Sequence, residues 1–338
     1  ILKMEKQLGL LDRIQPLLLI TSIALGLLMA WIAADFAQQL VPMVTIGVFL
    51  VIYFIMIGIK LQGILRAFTR IKPVAVTIVI NFLFTPVFAW LLGYIFLQNY
   101  PDVWVGLILY LITPCIGWYL VFTELADGDV ELGVSLLAWN VFLQIALMPV
   151  YMKILAGKIL FIDVGKILES VLIFLVFPLL LSIVTRWLLR LWNISVETFK
   201  GKLGYVKTFT LMLVILAMFA SQGSVLFANP QIVLKMILPG LVFFISIFMI
   251  ALLAGRMFDF NYKEVVLLVF TTLSRNSEAS LAIAVTAFTS PLVPLTVVIG
   301  PSIELPVLVI VLRILLWIRE KAWYPKAEPE FIKNPTQS

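Results

Sequence analysis

The sequence predicts an all-α membrane protein of ten transmembrane helices, and three observations lead there. The chain of 338 residues is 63% hydrophobic and only 12% charged, with a mean hydropathy of +1.13, far outside the range of a soluble domain. Apolar runs of about 20 residues, the length a helix needs to cross a ~30 Å hydrocarbon core, recur along nearly the whole chain. A membrane barrel would show ~10-residue segments of alternating character instead. Finally, Lys and Arg divide unequally between the two sides that ten crossings define, as they do where basic loops stay in the cytoplasm.

In chain order the runs lie near 16–34, 41–59, 73–98, 104–126, 132–155, 164–192, 205–227, 231–254, 263–290 and 292–318. An even number of spans puts both termini on one side. If that side is cytoplasmic it holds nineteen of the 24 basic residues, from Lys3, Lys6 and Arg13 through Lys60, Arg66, Arg70 and Lys72 to Arg319, Lys321, Lys326 and Lys333. The other side keeps Lys153, Lys158, Lys166 and Lys235, while Arg275 stays inside the membrane. The expected location is therefore the plasma membrane, with several passes and both termini cytoplasmic. The net charge of +6 is a topology signal rather than a nucleic-acid footprint. Trp31, Tyr100, Trp192 and Trp317 near span ends read as interface anchors. The N-terminal stretch lacks a cleavable-signal pattern, so the first span reads as a permanent helix. Residues 326–338, with Pro329 and Pro335 among polar neighbours, read as a disordered tail.

Composition also excludes chemistry. There is no histidine, which removes histidine proton relays and metal sites. The single cysteine, Cys115, leaves no intrachain disulfide or multi-cysteine metal centre. No phosphate-binding loop of the form GxxxxGK[ST] is present, so ATP hydrolysis by this chain is not expected. The chain reads as neither an enzyme nor a cofactor protein.

The weakly polar stretch 156–163 separates the fifth and sixth spans. A cut there divides the chain into a first five-helix repeat, 1–155, and a second, 156–325. An odd number of spans per half means that two halves of one fold sit upside down relative to each other. Inverted repeats with a midplane solute site are a common build of secondary transporters, and interrupted hydrophobic segments at matching positions point to that site. The fourth span is interrupted by Thr113, Pro114, Cys115, Ile116 and Gly117; proline removes a donor and glycine tolerates unwinding. In the ninth, Thr271, Thr272, Ser274, Arg275, Asn276, Ser277 and Ser280 supply polar side chains that can satisfy freed backbone groups. A charge at bilayer depth costs roughly 2.5–3.5 kcal/mol on insertion scales, so it persists only where protein or trapped water receives it. The ninth span is the fourth of its half, so the breaks match.

Three segments carry a family likeness: ITPCIGWYLVFTELADGDVELGVSLLAWN at 112–140, RNSEASLAIAV at 275–285 and IGPSIELPVLV at 299–309. Together they resemble the bile acid/sodium symporter superfamily, and within it the arsenite efflux permease branch. The resemblance implies ten helices in two inverted five-helix repeats, with broken fourth and ninth helices crossing at the centre. It implies that Cys115, in the Pro-Cys motif, is the metalloid-related thiol and As/Sb ligand, and that Glu304 belongs to a Gly-Pro-x-x-Glu-x-Pro motif. Where sodium-coupled members carry Gln-Asn at the ninth-helix crossover, Arg275 and Asn276 stand here. Trp118, Tyr119 and Leu120 replace the polar pair after the fourth-helix break. A fixed guanidinium in place of a sodium ligand repels Na⁺.

These readings assign substrate binding to Cys115, Arg275, Asn276, Pro114, Gly117, Asn140 and Asn81, and proton coupling to Glu304 and Glu278. The bland alternatives are a small buried thiol for Cys115, a structural Arg275–Glu278 pair, and interhelical hydrogen bonds for Asn81, Asn140 and Gln144. The acidic run Glu124, Asp127, Asp129, Glu131 reads as a solvated turn. The expected activity is proton-coupled efflux of arsenite or antimonite. Its partners are a small metalloid or anionic solute, protons and membrane lipid. An organic-anion carrier of the same superfamily and a non-transporting receptor or assembly subunit are the alternatives.

Overall fold

The computed structural model describes residues 10–57, 70–161, 163–192, 196–228 and 230–320. Lys3, Lys6, Lys60, Arg66, Lys321 and the tail from 326 lie outside the described residues. Within them the regular structure is helical: α1 Leu10–Ile32, α2 Ala34–Gln38, α3 Val41–Ile57, α4 Ile71–Phe96, α5 Pro101–Leu111, α6 Trp118–Leu125 and α7 Val130–Ala156. The series continues with α8 Val164–Leu191, α9 Val196–Ala228, α10 Pro230–Met257, α11 Tyr262–Leu273, α12 Ser277–Ala287 and α13 Leu292–Glu320. By length and composition α4, α7, α8, α10 and α13 suffice to cross a membrane. The apolar runs read from the sequence fall on these helices. The first ends at Ile32, before a short separate turn of helix.

The helices sort into two groups. On one side α1 and α3 pack against α9, and α3 also against α8. On the other, α5 packs on α4 and α13, α10 on α11 and α13, α6 on α11, and α12 on α13. Side chains such as Leu83, Val87, Phe177, Leu180, Ile245 and Leu253 remain exposed on α4, α8 and α10. An apolar outer surface of that extent is what a lipid-facing bundle presents and a soluble one avoids. Trp31, Trp192 and Trp317 are exposed at or near helix ends. Tyr100, at the start of α5, lies 4.2 Å from the Lys235 ammonium.

Among the described residues three single turns are widened to π geometry: Ile80–Phe84 in α4, Met152–Ala156 in α7 and Leu172–Val176 in α8. The turn between α6 and α7 carries the acidic run. Asp127 takes a left-handed conformation, φ 56°, which aspartate tolerates better than most residues, and its carboxylate meets Arg319. Asp129 caps α7 through the Leu132 N–H and accepts from Arg70 at 2.7 Å; Arg70 also reaches Glu264 at 3.2 Å. This turn is therefore tied to the starts of α4 and α11 and to the end of α13, rather than only solvated. Exposed pairs of this kind contribute ~0–1 kcal/mol each, so they set register more than stability.

Candidate functional site

The interruptions of the fourth and ninth apolar runs lie against each other. Residues 112–117 separate α5 from α6, and 274–276 separate α11 from α12. Pro114 and Arg275 face each other in an antiparallel bridge. Its two hydrogen bonds run from Cys115 N–H to the Ser274 carbonyl, 3.0 Å, and from Asn276 N–H to the Thr113 carbonyl, 2.8 Å. Pro114 and Arg275 thus form the non-hydrogen-bonded pair, where neither N–H is used across the bridge. The missing donor of proline costs nothing there. The Arg275 N–H is turned outward and donates to Glu304 Oε1 at 3.0 Å.

Helix ends inside an apolar bundle leave four carbonyls each to be satisfied. At the end of α5, the Ile108 carbonyl receives Ile112 N–H at 3.0 Å, Leu109 the Ser280 hydroxyl at 3.1 Å, and Tyr110 the Thr113 hydroxyl at 2.8 Å. Leu111 receives Nη1 of Arg275 at 2.9 Å. At the end of α11, Phe270 receives Ser274 N–H at 3.0 Å, Thr271 receives Asn81 Nδ2 at 3.3 Å and Leu273 receives Nε of Arg275 at 3.3 Å. Thr272 accepts from Nη2 of Arg275, which also reaches Asn81 Oδ1 at 3.2 Å. Every one of these eight carbonyls has a partner. Arg275, 1% exposed, is held by carbonyls and Asn81, with the Phe243 ring 5.2 Å from its Cζ.

The opposite helix ends are capped differently. Asn276 Oδ1 accepts Ala279 N–H at 3.1 Å, an ordinary N-cap for α12, and Glu278 in the first turn suits the positive end of the dipole. At the start of α6, Cys115 Sγ receives Gly117 N–H at 3.4 Å and Trp118 N–H at 3.2 Å. Sulfur is a weak acceptor, so this positive end is the less well satisfied of the two. A Cβ at Gly117 would meet only open space.

Beside the crossover lies a cavity of about 570 Å³ between the two helix groups. Its polar wall comprises Ser277, Glu278, Ser302, Glu304 and Arg275, and its apolar wall includes Trp118, Phe122 and Phe219. Along α13 the lining extends to both sides of Glu304, from Val297 to Ile310, and it includes Trp118 and Phe122 of α6 and Glu278 and Leu281 of α12. Glu304 sits between Pro301 and Pro306 on α13, accepts from Arg275 N–H, and takes a second hydrogen bond from the Tyr110 hydroxyl. Tyr110 was not legible as a site residue: an aromatic inside an apolar run carries no signal of its own.

The structure brings Pro114, Cys115, Gly117, Arg275, Asn276, Asn81, Glu278 and Glu304 to the crossover and the cavity beside it. Cys115 is buried and does not line the cavity, whereas its neighbour Trp118 does. Asn140 is not joined to this network: both of its amide atoms are buried without a hydrogen-bond partner, as are those of Gln144 one turn on. Asn81 does make the interhelical bonds that one reading expected. Among the described residues no cluster of acidic, histidine and cysteine side chains could hold a resident metal ion.

The family model described as Sodium Bile acid symporter family matches residues 45–229. The Arsenical-resistance protein Acr3 of Corynebacterium glutamicum is 25% identical over 344 aligned positions, covering 93% of this chain and 91% of the relative. Acr3 of Alkaliphilus metalliredigens is also 25% identical, covering 88% of this chain and 86% of its own length. The uncharacterized transporter slr0944 of Synechocystis sp. is 26% identical, over 93% and 88%.

Proposed function

The chain belongs to the sodium bile acid symporter family, a multi-pass membrane transporter on that footing, and we propose that it exports arsenite or antimonite from the cell by proton-linked exchange. The observation that carries this reading is the antiparallel pairing of two broken helices beside a cavity whose wall includes the Glu304 carboxylate. Paired breaks expose helix ends to a solute at midmembrane depth, and a carboxylate there can take up and release a proton. The names of the two Acr3 relatives point the same way.

In this reading the chain has ten spans, with α5–α6 and α11–α12 as the crossing fourth and ninth. The two inverted repeats are 1–155 and 156–325. Support comes from the packing: α1 and α3 from the first half join α8 and α9 from the second, and the remaining three spans of each half form the other group. Both termini are cytoplasmic, and the cavity beside the crossover holds the solute at midmembrane depth. Cys115 supplies the soft ligand. Gly117, Pro114 and Asn276 shape the opening, Asn81 and Arg275 hold the crossover from behind, and Glu304 with Glu278 carries the proton.

One observation favours a second reading. A trihydroxy metalloid is the size of a few waters, roughly 120 Å³ at ~30 Å³ each, and the cavity is several times larger and mostly apolar. It falls in the ~300–1,000 Å³ range of pockets for larger organic solutes, as an organic-anion carrier requires. Uptake of arsenite and of an organic-anion panel into everted vesicles under an imposed pH gradient separates the two. Accumulation of arsenite driven by the gradient supports the first reading. Accumulation of an organic anion with no arsenite uptake replaces it with the second.

A further inference from the structure

Four oxygen atoms converge on one guanidinium. Three are carbonyls at the C-terminal ends of two half-helices, Leu111 of α5 and Thr272 and Leu273 of α11; the fourth is Asn81 Oδ1 from α4. Aligned peptide dipoles give each helix end a partial negative charge of roughly half an elementary unit. Two such ends brought together inside an apolar bundle amount to about one negative charge, which a single cation neutralises. Arg275 is suited to this: its planar fork presents donors in several directions, and it does not give up its proton. Its main chain meanwhile faces the other way, with the N–H on Glu304 at the cavity wall.

The electrostatics near this point come from more than one element. Glu304 of α13 touches the Arg275 backbone, and Tyr110 of α5 donates to Glu304. Phe243 of α10 places a ring face beside the guanidinium, an environment favourable to a cation. Asn81 divides its amide between the two partners, donating to the Thr271 carbonyl and accepting from Arg275. These groups ask for a positive charge at one spot, and nothing in their arrangement asks for a solute there.

We propose that the helix crossover is a monovalent-cation site occupied permanently by the Arg275 side chain. The residue is then a positioning residue whose guanidinium fixes the two breaks away from the exported solute, and its removal leaves a vacancy that a free guanidinium ion fills. This inference stands whichever solute the transporter carries.

The test is thermal denaturation of purified protein, which needs no substrate. Arg275→Ala should melt on the order of 5 °C below the parent, because buried carbonyls lose their partners. Dilute guanidinium chloride should raise the melting temperature of Arg275→Ala saturably by at least about 2 °C. Choline chloride at the same ionic strength should not, and the parent should respond to neither. Sodium and potassium arms report whether the vacancy also takes a spherical ion. Should Arg275→Ala fail to fold, Arg275→Lys and Arg275→Gln decide the matter. A site that needs charge ranks them parent, then Lys, then Gln. A Gln variant as stable as the Lys variant, or a guanidinium shift equal in parent and Arg275→Ala, overturns the proposal.

Discussion

Pro114 and Arg275 occupy facing positions of an antiparallel bridge at which neither N–H is needed across the pair. That single relationship lets a proline, which has no N–H, and an arginine, whose N–H goes to Glu304, hold two helices at their breaks without orphaning a backbone group. Its consequences can be measured.

Cys115 sits at the weakly capped start of α6 with its sulfur on two backbone N–H groups. If arsenic(III) binds there, Cys115→Ser should lose essentially all arsenite export while the protein remains folded in the membrane, since oxygen is a poor substitute for soft sulfur. The hydroxyl can still accept the same N–H groups, so stability should change by less than about 1 kcal/mol. Normal export by the serine variant would remove the thiol from the site.

The Arg275 guanidinium already occupies the carbonyl acceptors at the crossover, where a sodium ion would otherwise be held. Replacing sodium with choline, at constant membrane potential and constant pH gradient, should therefore leave the transport rate unchanged. A steep dependence on sodium would mean that a cation binds elsewhere in the bundle.

Two glycines give opposite expectations for one added methyl group. A Cβ at Gly300 would lie 2.4 Å from the Tyr110 ring, whereas one at Gly117 meets nothing within 4 Å. Gly300→Ala should push Tyr110 off Glu304, destabilise the protein by ~1–3 kcal/mol, and slow proton-linked transport at least tenfold. Gly117→Ala should keep the parental melting temperature. Equal stability of the two variants would argue that Tyr110 is not held where the structure has it.

Asn140 and Gln144 stack one turn apart on α7, each amide buried without a partner. An unsatisfied buried amide costs ~1–3 kcal/mol, so Asn140→Leu and Gln144→Leu should raise stability by about 1 kcal/mol each. If Asn140 lines the solute path, its leucine variant should lose transport despite that gain. Stabilisation with transport intact would make both amides scaffold.

The broken helices were legible because they violate the chain's own rule: in a sequence this apolar, Pro114, Gly117, Arg275 and Asn276 cannot continue a span unaided. What Arg275 does was not legible. Three residues from Glu278, it reads as an ion pair or a solute contact; its partners are carbonyls of residues 111, 272 and 273, and carbonyls have no sequence signal. Asn81 looked like one polar residue among several, and only the fold distinguishes it from Asn140 by setting it against Thr271 and Arg275. Tyr110 was invisible for a related reason. Its apolar ring fits the run it belongs to, and its hydroxyl acquires a role only once α13 brings Glu304 alongside.

Two of the widened turns touch: the Tyr151 hydroxyl, one residue before Met152–Ala156 in α7, bonds to the Phe82 carbonyl inside Ile80–Phe84 of α4. A π turn stores one residue more than an α-helix of the same rise needs. Such a surplus can travel along a helix, converting a change of length into a rotation of everything beyond it while leaving the ladder continuous. Asn81 rides on the α4 surplus and grips the crossover directly. The bundle therefore has slack wound in next to its most tightly satisfied point, where one amide joins α4 to the end of α11 and to Arg275.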